Sequence, residues 1–132
     1  LFIDTNDERK KTFIELCRKK HLPYEFYSVP LHAKYHDFES AAKSFMSTVC
    51  NVRTAVFCVN DTVATSLFSH LPPNLKIYSI DGTETALEMG IVSYSQPIRK
   101  MAAATITALK NQQRLGAGWR AKKYYFKGEV SE

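Results

Sequence analysis

The sequence predicts an α/β fold, a doubly wound parallel sheet flanked by helices. Apolar strand-like runs alternate with stretches of helical periodicity along the chain, the pattern of a doubly wound α/β layer. Two of the runs, residues 54–59 and 75–80, are apolar on both faces, as strands covered on each side must be. Each closes in a polar pair, Asn60-Asp61 and Asp81-Gly82. Between them lies a helical stretch, 62–70, stopped by Leu71-Pro72-Pro73. This is a β-α-β unit, and in such sheets ligands gather beyond the carboxyl ends of the strands.

The remaining elements follow in chain order. Leu1-Phe2-Ile3 reads as the tail of a strand. A helix is expected over 7–20, with Phe13, Leu16, Cys17 and Lys20 at helical spacing and His21-Leu22-Pro23 as its stop. Residues 24–29 form an aromatic-rich strand, and 30–37 a loop. A second helix, 38–49, buries Phe38, Ala41, Ala42, Phe45 and Val49. After the β-α-β unit, a short helix over 83–89 ends at Gly90, a residue suited to a helix C-cap. Residues 91–94 are extended. Pro97 then opens a long helix to residue 112, with Ile98, Met101, Thr105, Ala108 and Leu109 on one stripe. Residues 115–118 turn the chain into a last strand at 124–126. There is no internal repeat and no low-complexity segment.

At 132 residues and 45% hydrophobic content, the chain is one domain with a real core. No apolar run approaches the roughly 20 residues of a membrane span. Leu1-Phe2-Ile3 passes straight into the charged stretch 4–11, so no signal peptide is read. With no initiator Met, the chain is expected to be a piece cut from a longer protein. Cys17, Cys50 and Cys58 are odd in number and lack metal spacing, which suits a reduced, cytoplasmic compartment. The net charge of +5 falls mainly in Arg9-Lys10-Lys11, Arg18-Lys19-Lys20 and residues 114–123. Most of these cations lie at expected helix ends, where they suit the dipole and solvent better than a nucleic-acid groove.

Three polar residues stand out. An Asn amide both donates and accepts hydrogen bonds, so Asn60 can hold a polyol; both residues of Asn60-Asp61 also favour helix N-caps. We assign Asp61 to the cap and Asn60 to the ligand. Asp81, before the turn-permitting Gly82, can accept from two neighbouring hydroxyls of a sugar, or serve a turn with Thr83 and Glu84. Arg9 lies one turn before Phe13 on the same helical face, where a guanidinium opposes the dipole. A polar ligand or the Asp81 carboxylate would account for it, as would an ordinary surface position.

Nothing points to an enzyme or a metal site. Asp4-x-Asn6-x-Glu8 lacks the glycine of a calcium loop. His21, His32, His36 and His70 lack metal spacing. H-E-x-x-H, G-x-S-x-G, G-x-G-x-x-G and Walker loops are absent, and no cofactor is expected.

Four segments carry a resemblance. Residues 55–64, A-V-F-C-V-N-D-T-V-A, resemble "A-V-F-x-x-N-D-x-x-A" of the lactose/galactose-repressor (LacI/GalR) family of transcription regulators. Residues 77–82 resemble its "V-x-G-[FY]-D-[DN]", residues 95–102 its "x-Q-P-x-x-x-M-G", and Arg9-Lys10-Lys11-Thr12-Phe13 its "R-x-x-G-F". Order and spacing match throughout. Ser79, Thr12 and Ala102 replace family glycines. The resemblance implies the second lobe of a periplasmic-binding-protein-like effector domain, with Arg9, Asn60 and Asp81 contacting a sugar or nucleobase. It also implies a hydroxyl near the ligand at Thr5 and an aromatic platform at the position of His36, with Tyr35 beside it.

The expected function is therefore effector sensing, with a sugar as the ligand class, coupled to operator DNA affinity through a DNA-binding domain absent from this chain. A solute-binding protein of an uptake system is the alternative. Residues 1–92 and 122–132 form the sheet lobe. Residues 93–113 are a crossover and a helix that in the family packs in the first lobe. A homodimer is expected, in part through the helix after Asn60-Asp61, whose Val63, Ser66, Leu67 and His70 are read as an exposed mixed face, with the 97–112 helix either folded back on its own sheet or packed against a partner.

Overall fold

A computed structural model describes residues 8–30, 32–49 and 55–131. One sheet holds four strands in the order β1 (Ala55–Phe57), β2 (Lys76–Asp81), β3 (Val92–Ser95) and β4 (Glu129–Ser131). The first three are parallel, and β4 runs antiparallel to β3. The sheet is thus mixed, where a wholly parallel one was expected. The antiparallel edge is β4, which pairs with β3 after the long helix that follows it. The helices are α1 (Glu8–Lys19), α2 (Tyr35–Val49), α3 (Asp61–Phe68), α4 (Glu84–Glu88) and α5 (Ile98–Leu115), with a 3-10 turn at Gly116–Gly118.

The pleat sends alternate residues to opposite faces. Val56, Cys58 and Ile77 are buried together with Val63, Ala64 and Leu67 of α3 and Ala42 and Phe45 of α2. On the other face Phe13 of α1 stacks on Phe57, with centroids 5.2 Å apart and planes 6° from parallel. Phe13 also meets Phe26 edge-on at 6.3 Å. That face carries an apolar hollow of about 420 Å3, lined by Phe13, Phe57, Tyr78, Ile80, Val92 and Tyr94 among others.

Several expectations need correction. Residues 24–29 make no strand among the described residues, only an isolated bridge at Ser28. Residues 124–126 are not a strand either; Tyr125 is 88% exposed, and pairing starts three residues later. Gly128 explains the shift: a Cβ there would lie 2.1 Å from the Ser95 carbonyl oxygen, and its N–H donates to the Tyr94 hydroxyl at 2.7 Å. Only past this close approach can the chain join β3. Leu16 faces solvent. On α3, Val63 and Leu67 are 2% and 1% exposed, so they belong to the core and offer no docking face.

The helix α5 buries none of its residues. Ile98, Met101, Ile106, Leu109 and Leu115 are all exposed. Among the described residues, no helix is long and apolar enough to cross a membrane. The strand expected at 1–3, and Thr5, lie outside the described residues.

Candidate ligand site at the ends of β1 and β2

The parallel order of β1 and β2 puts their carboxyl ends side by side, with Val59-Asn60 after one and Asp81 closing the other. Helix α1 delivers Arg9 to the same place. Its Nη1 donates to the Val59 carbonyl oxygen at 2.7 Å, and its Nη2 lies 3.9 Å from Asp81 Oδ1. Both side chains of that ion pair are over one-third exposed, so the pair orients the groups more than it stabilises the fold. Gln96, on the crossover to α5, donates from Nε2 to the same Asp81 oxygen at 2.9 Å. A carboxylate, a guanidinium and a primary amide therefore meet at a half-open sheet edge, a donor and acceptor set matched to hydroxyls.

The backbone here is unusual. Asp81 has φ 133° and Gly82 has φ 71°. The first is a region that non-glycine residues rarely occupy, and strain of this kind persists only where surrounding structure holds it. A Cβ on Gly82 would lie 2.6 Å from the Ser95 Cα, so the corner presses directly on β3.

Asn60 takes the helix cap that was expected of Asp61. Asn60 is the N-cap of α3, its Oδ1 accepting from the Val63 N–H at 2.9 Å. Its Nδ2 has no hydrogen-bond partner among the described residues. Asp61, 1% exposed, is not the cap. Its Oδ1 accepts from the Ser79 and Ser93 hydroxyls, the latter at 2.6 Å. Its Oδ2 accepts from the Thr83 N–H at 2.6 Å and the Thr83 hydroxyl at 2.8 Å. Burial raises the Asp61 pKa, but the bonds from Ser79, Ser93 and Thr83 outweigh it and leave the carboxyl below its ordinary range. The Ser79 that departs from the family glycine thus has a defined use.

Tyr35 and His36 are not part of this cluster. Both lie in the first turn of α2. Tyr35 meets the His70 ring edge-on at 4.7 Å, and His36 pairs with Asp37 at 3.4 Å. His70 follows the end of α3 opposite to Asn60, beyond an eight-residue helix about 12 Å long. The expected platform position is therefore at the wrong end of α3. Asp61 and Gln96 were missed as site residues. The signal for Asp61 was a serine on the buried face of each of two neighbouring strands, since a buried hydroxyl needs a partner.

The apolar hollow is not the site: neither Arg9, Asn60 nor Asp81 lines it. Among the described residues, no group of three or more His, Cys, Asp or Glu is placed to hold a metal ion.

No protein-family model matches this chain, and no curated protein matches it. Solved structures do. A probable transcription regulator from Thermus thermophilus superposes with a TM-score of 0.70 at 18% identity, over 98% of this chain and 55% of that one. A complex of the transcriptional regulator CelR with cellobiose superposes with a TM-score of 0.74 at 16% identity, over 95% of this chain and 41% of that one. The chain thus spans about half the length of these proteins or less. What the likeness shows is the fold: a lobe of α/β architecture shared with two transcription-regulator structures.

Proposed function

We propose that the chain is the effector-sensing lobe of a cytoplasmic transcriptional regulator of the LacI/GalR kind, binding a sugar at Arg9, Asn60 and Asp81 without a chemical step. The observation that carries this reading is the meeting of Arg9 with Asp81 and the Val59 carbonyl at the carboxyl ends of two parallel strands. The CelR structure, a cellobiose complex on the same fold, supports the sugar class. Asn60 presents Nδ2 as a donor while Oδ1 caps α3. The four motif segments support the family.

In the intact regulator, a ligand closed between this lobe and a second one biases two arrangements of a dimer that differ in operator affinity. The shift is limited by the ligand's differential affinity for the two states. Operator contact belongs to a separate domain. Among the described residues no element is shaped for a major groove, and any DNA retention by the cations should fade steeply with salt.

Calorimetric titration with a panel of mono- and disaccharides, cellobiose included, tests the reading. Asp81→Ala and Asn60→Ala should each weaken the tightest ligand by about tenfold or more, the effect of one lost buried polar partner. Parent-like binding by both variants would refute the assignment.

A further inference from the structure

We infer that Asp61 is a positioning residue for the ligand site: it holds the Asp81-Gly82 corner in the conformation that presents the Asp81 carboxylate. The inference rests on the reading of Asp81 as a ligand contact, and adds the residue that aims it. Asp61 starts α3, yet its carboxylate bonds to β2, β3 and the residue that caps α4. Ser79 on β2 and Ser93 on β3 are register partners, and both donate to Oδ1. Thr83 donates its N–H and its hydroxyl to Oδ2.

These bonds flank the strained corner. On its far side, Thr83 N–H is held by Asp61 directly. In the middle, Gly82 N–H donates at 3.0 Å to the Ser93 Oγ, whose own proton is directed to Asp61. One buried carboxylate therefore fixes two consecutive amides after Asp81, directly and through Ser93. An Asp at φ 133°, beside a glycine whose φ of 71° is freely allowed, has no local reason to stay there. The clamp supplies one, and with it the direction of the Asp81 side chain toward Arg9 and Gln96. Ser79 is the informative contrast. It shares the same Asp61 oxygen and the same burial but makes no bond to the corner.

The test compares Ser93→Ala, Asp61→Asn and Ser79→Ala in the full chain. One readout needs no ligand: the three-bond HN–Hα coupling of Asp81, which is small near φ 133° and grows when φ returns to the extended region. The other is affinity for the tightest sugar of a panel including cellobiose. Ser93→Ala and Asp61→Asn should raise the coupling and weaken binding about tenfold, whereas Ser79→Ala should lower the unfolding midpoint and leave both readouts at parent values. An unchanged coupling in both Ser93→Ala and Asp61→Asn overturns the inference. So does a binding loss in Ser79→Ala equal to that in Ser93→Ala, since lost stability alone would then explain it. Parent-like binding by Asp81→Ala, or a parent that binds no sugar of the panel, overturns instead the reading of Asp81 as a contact, and the inference falls with it.

Discussion

The Gln96 amide donates a 2.9 Å hydrogen bond to the Asp81 carboxylate, joining the root of α5 to the end of β2. The crossover is thereby tied to the same oxygen that faces Arg9. A bond from a neutral donor to a charged, partly exposed acceptor is worth about 1 kcal/mol. Gln96→Ala should lower stability by that amount in denaturant titration. Loss of under a few tenths would show that the crossover is held by something else.

Gly82 and Gly90 separate conformational strain from steric conflict. Both have positive φ, 71° and 74°. An added Cβ at Gly90 meets nothing within 4 Å, so Gly90→Ala should cost about 1 kcal/mol, the left-handed penalty alone. At Gly82 the Cβ would also press on the Ser95 backbone at 2.6 Å. Gly82→Ala should cost at least about 3 kcal/mol, in the range of overpacking plus strain. Equal midpoints for the two variants would disprove the close packing of the corner on β3.

Asp61 should dominate the acid limb of stability. Its folded pKa lies below the ordinary 3.8 despite burial, because Ser79, Ser93 and Thr83 donate to it. Between the folded and unfolded values the unfolded chain binds more protons, so stability rises with pH there. Its contribution is complete above about pH 4–5 and lost as pH falls through the folded pKa. Asp61→Ala should cost about 3–5 kcal/mol at neutral pH, the effect of stranding buried donors. Asp61→Asn should flatten the stability profile below about pH 4, where an ordinary Asp titrates. Parallel profiles for parent and Asp61→Asn would refute the assignment.

The β-α-β unit was legible because strand runs apolar on both faces and the prolines after α3 leave little choice of structure. The side of α1 that carries Arg9 follows from one helical turn to Phe13, a local relation. What failed depended on tertiary partners. Asn60 and Asp61 are equally good caps locally, and only the two inward serines of β2 and β3 decide that Asp61 turns inward. The last strand was misplaced because Tyr124, Tyr125 and Phe126 have high strand propensity, while Gly128 sets where the chain can reach β3. Val63 and Leu67 were read as a docking face because the reach of the sheet and α2 over α3 has no signature in α3 itself.

With α3 committed to the core, association of this chain should run through α5. That helix buries no residue and carries Ile98, Met101, Ile106 and Leu109 in exposed positions. Apolar surface of this extent tends to be covered by a partner, and two-fold pairing is the commonest solution. Its charges, Arg99, Lys100, Lys110 and Arg114, are all positive and would repel across a symmetric pair. Salt screens that repulsion without weakening apolar contact, so dimerisation should strengthen from low to physiological ionic strength. Leu109→Lys should return the chain to monomer with an unchanged far-ultraviolet dichroism spectrum. Sedimentation equilibrium at tens of micromolar decides between the outcomes. A strict monomer at every salt concentration would rule out α5 pairing, and a dimer that dissociates as salt rises would mean that charge, not the apolar stripe, holds the copies together.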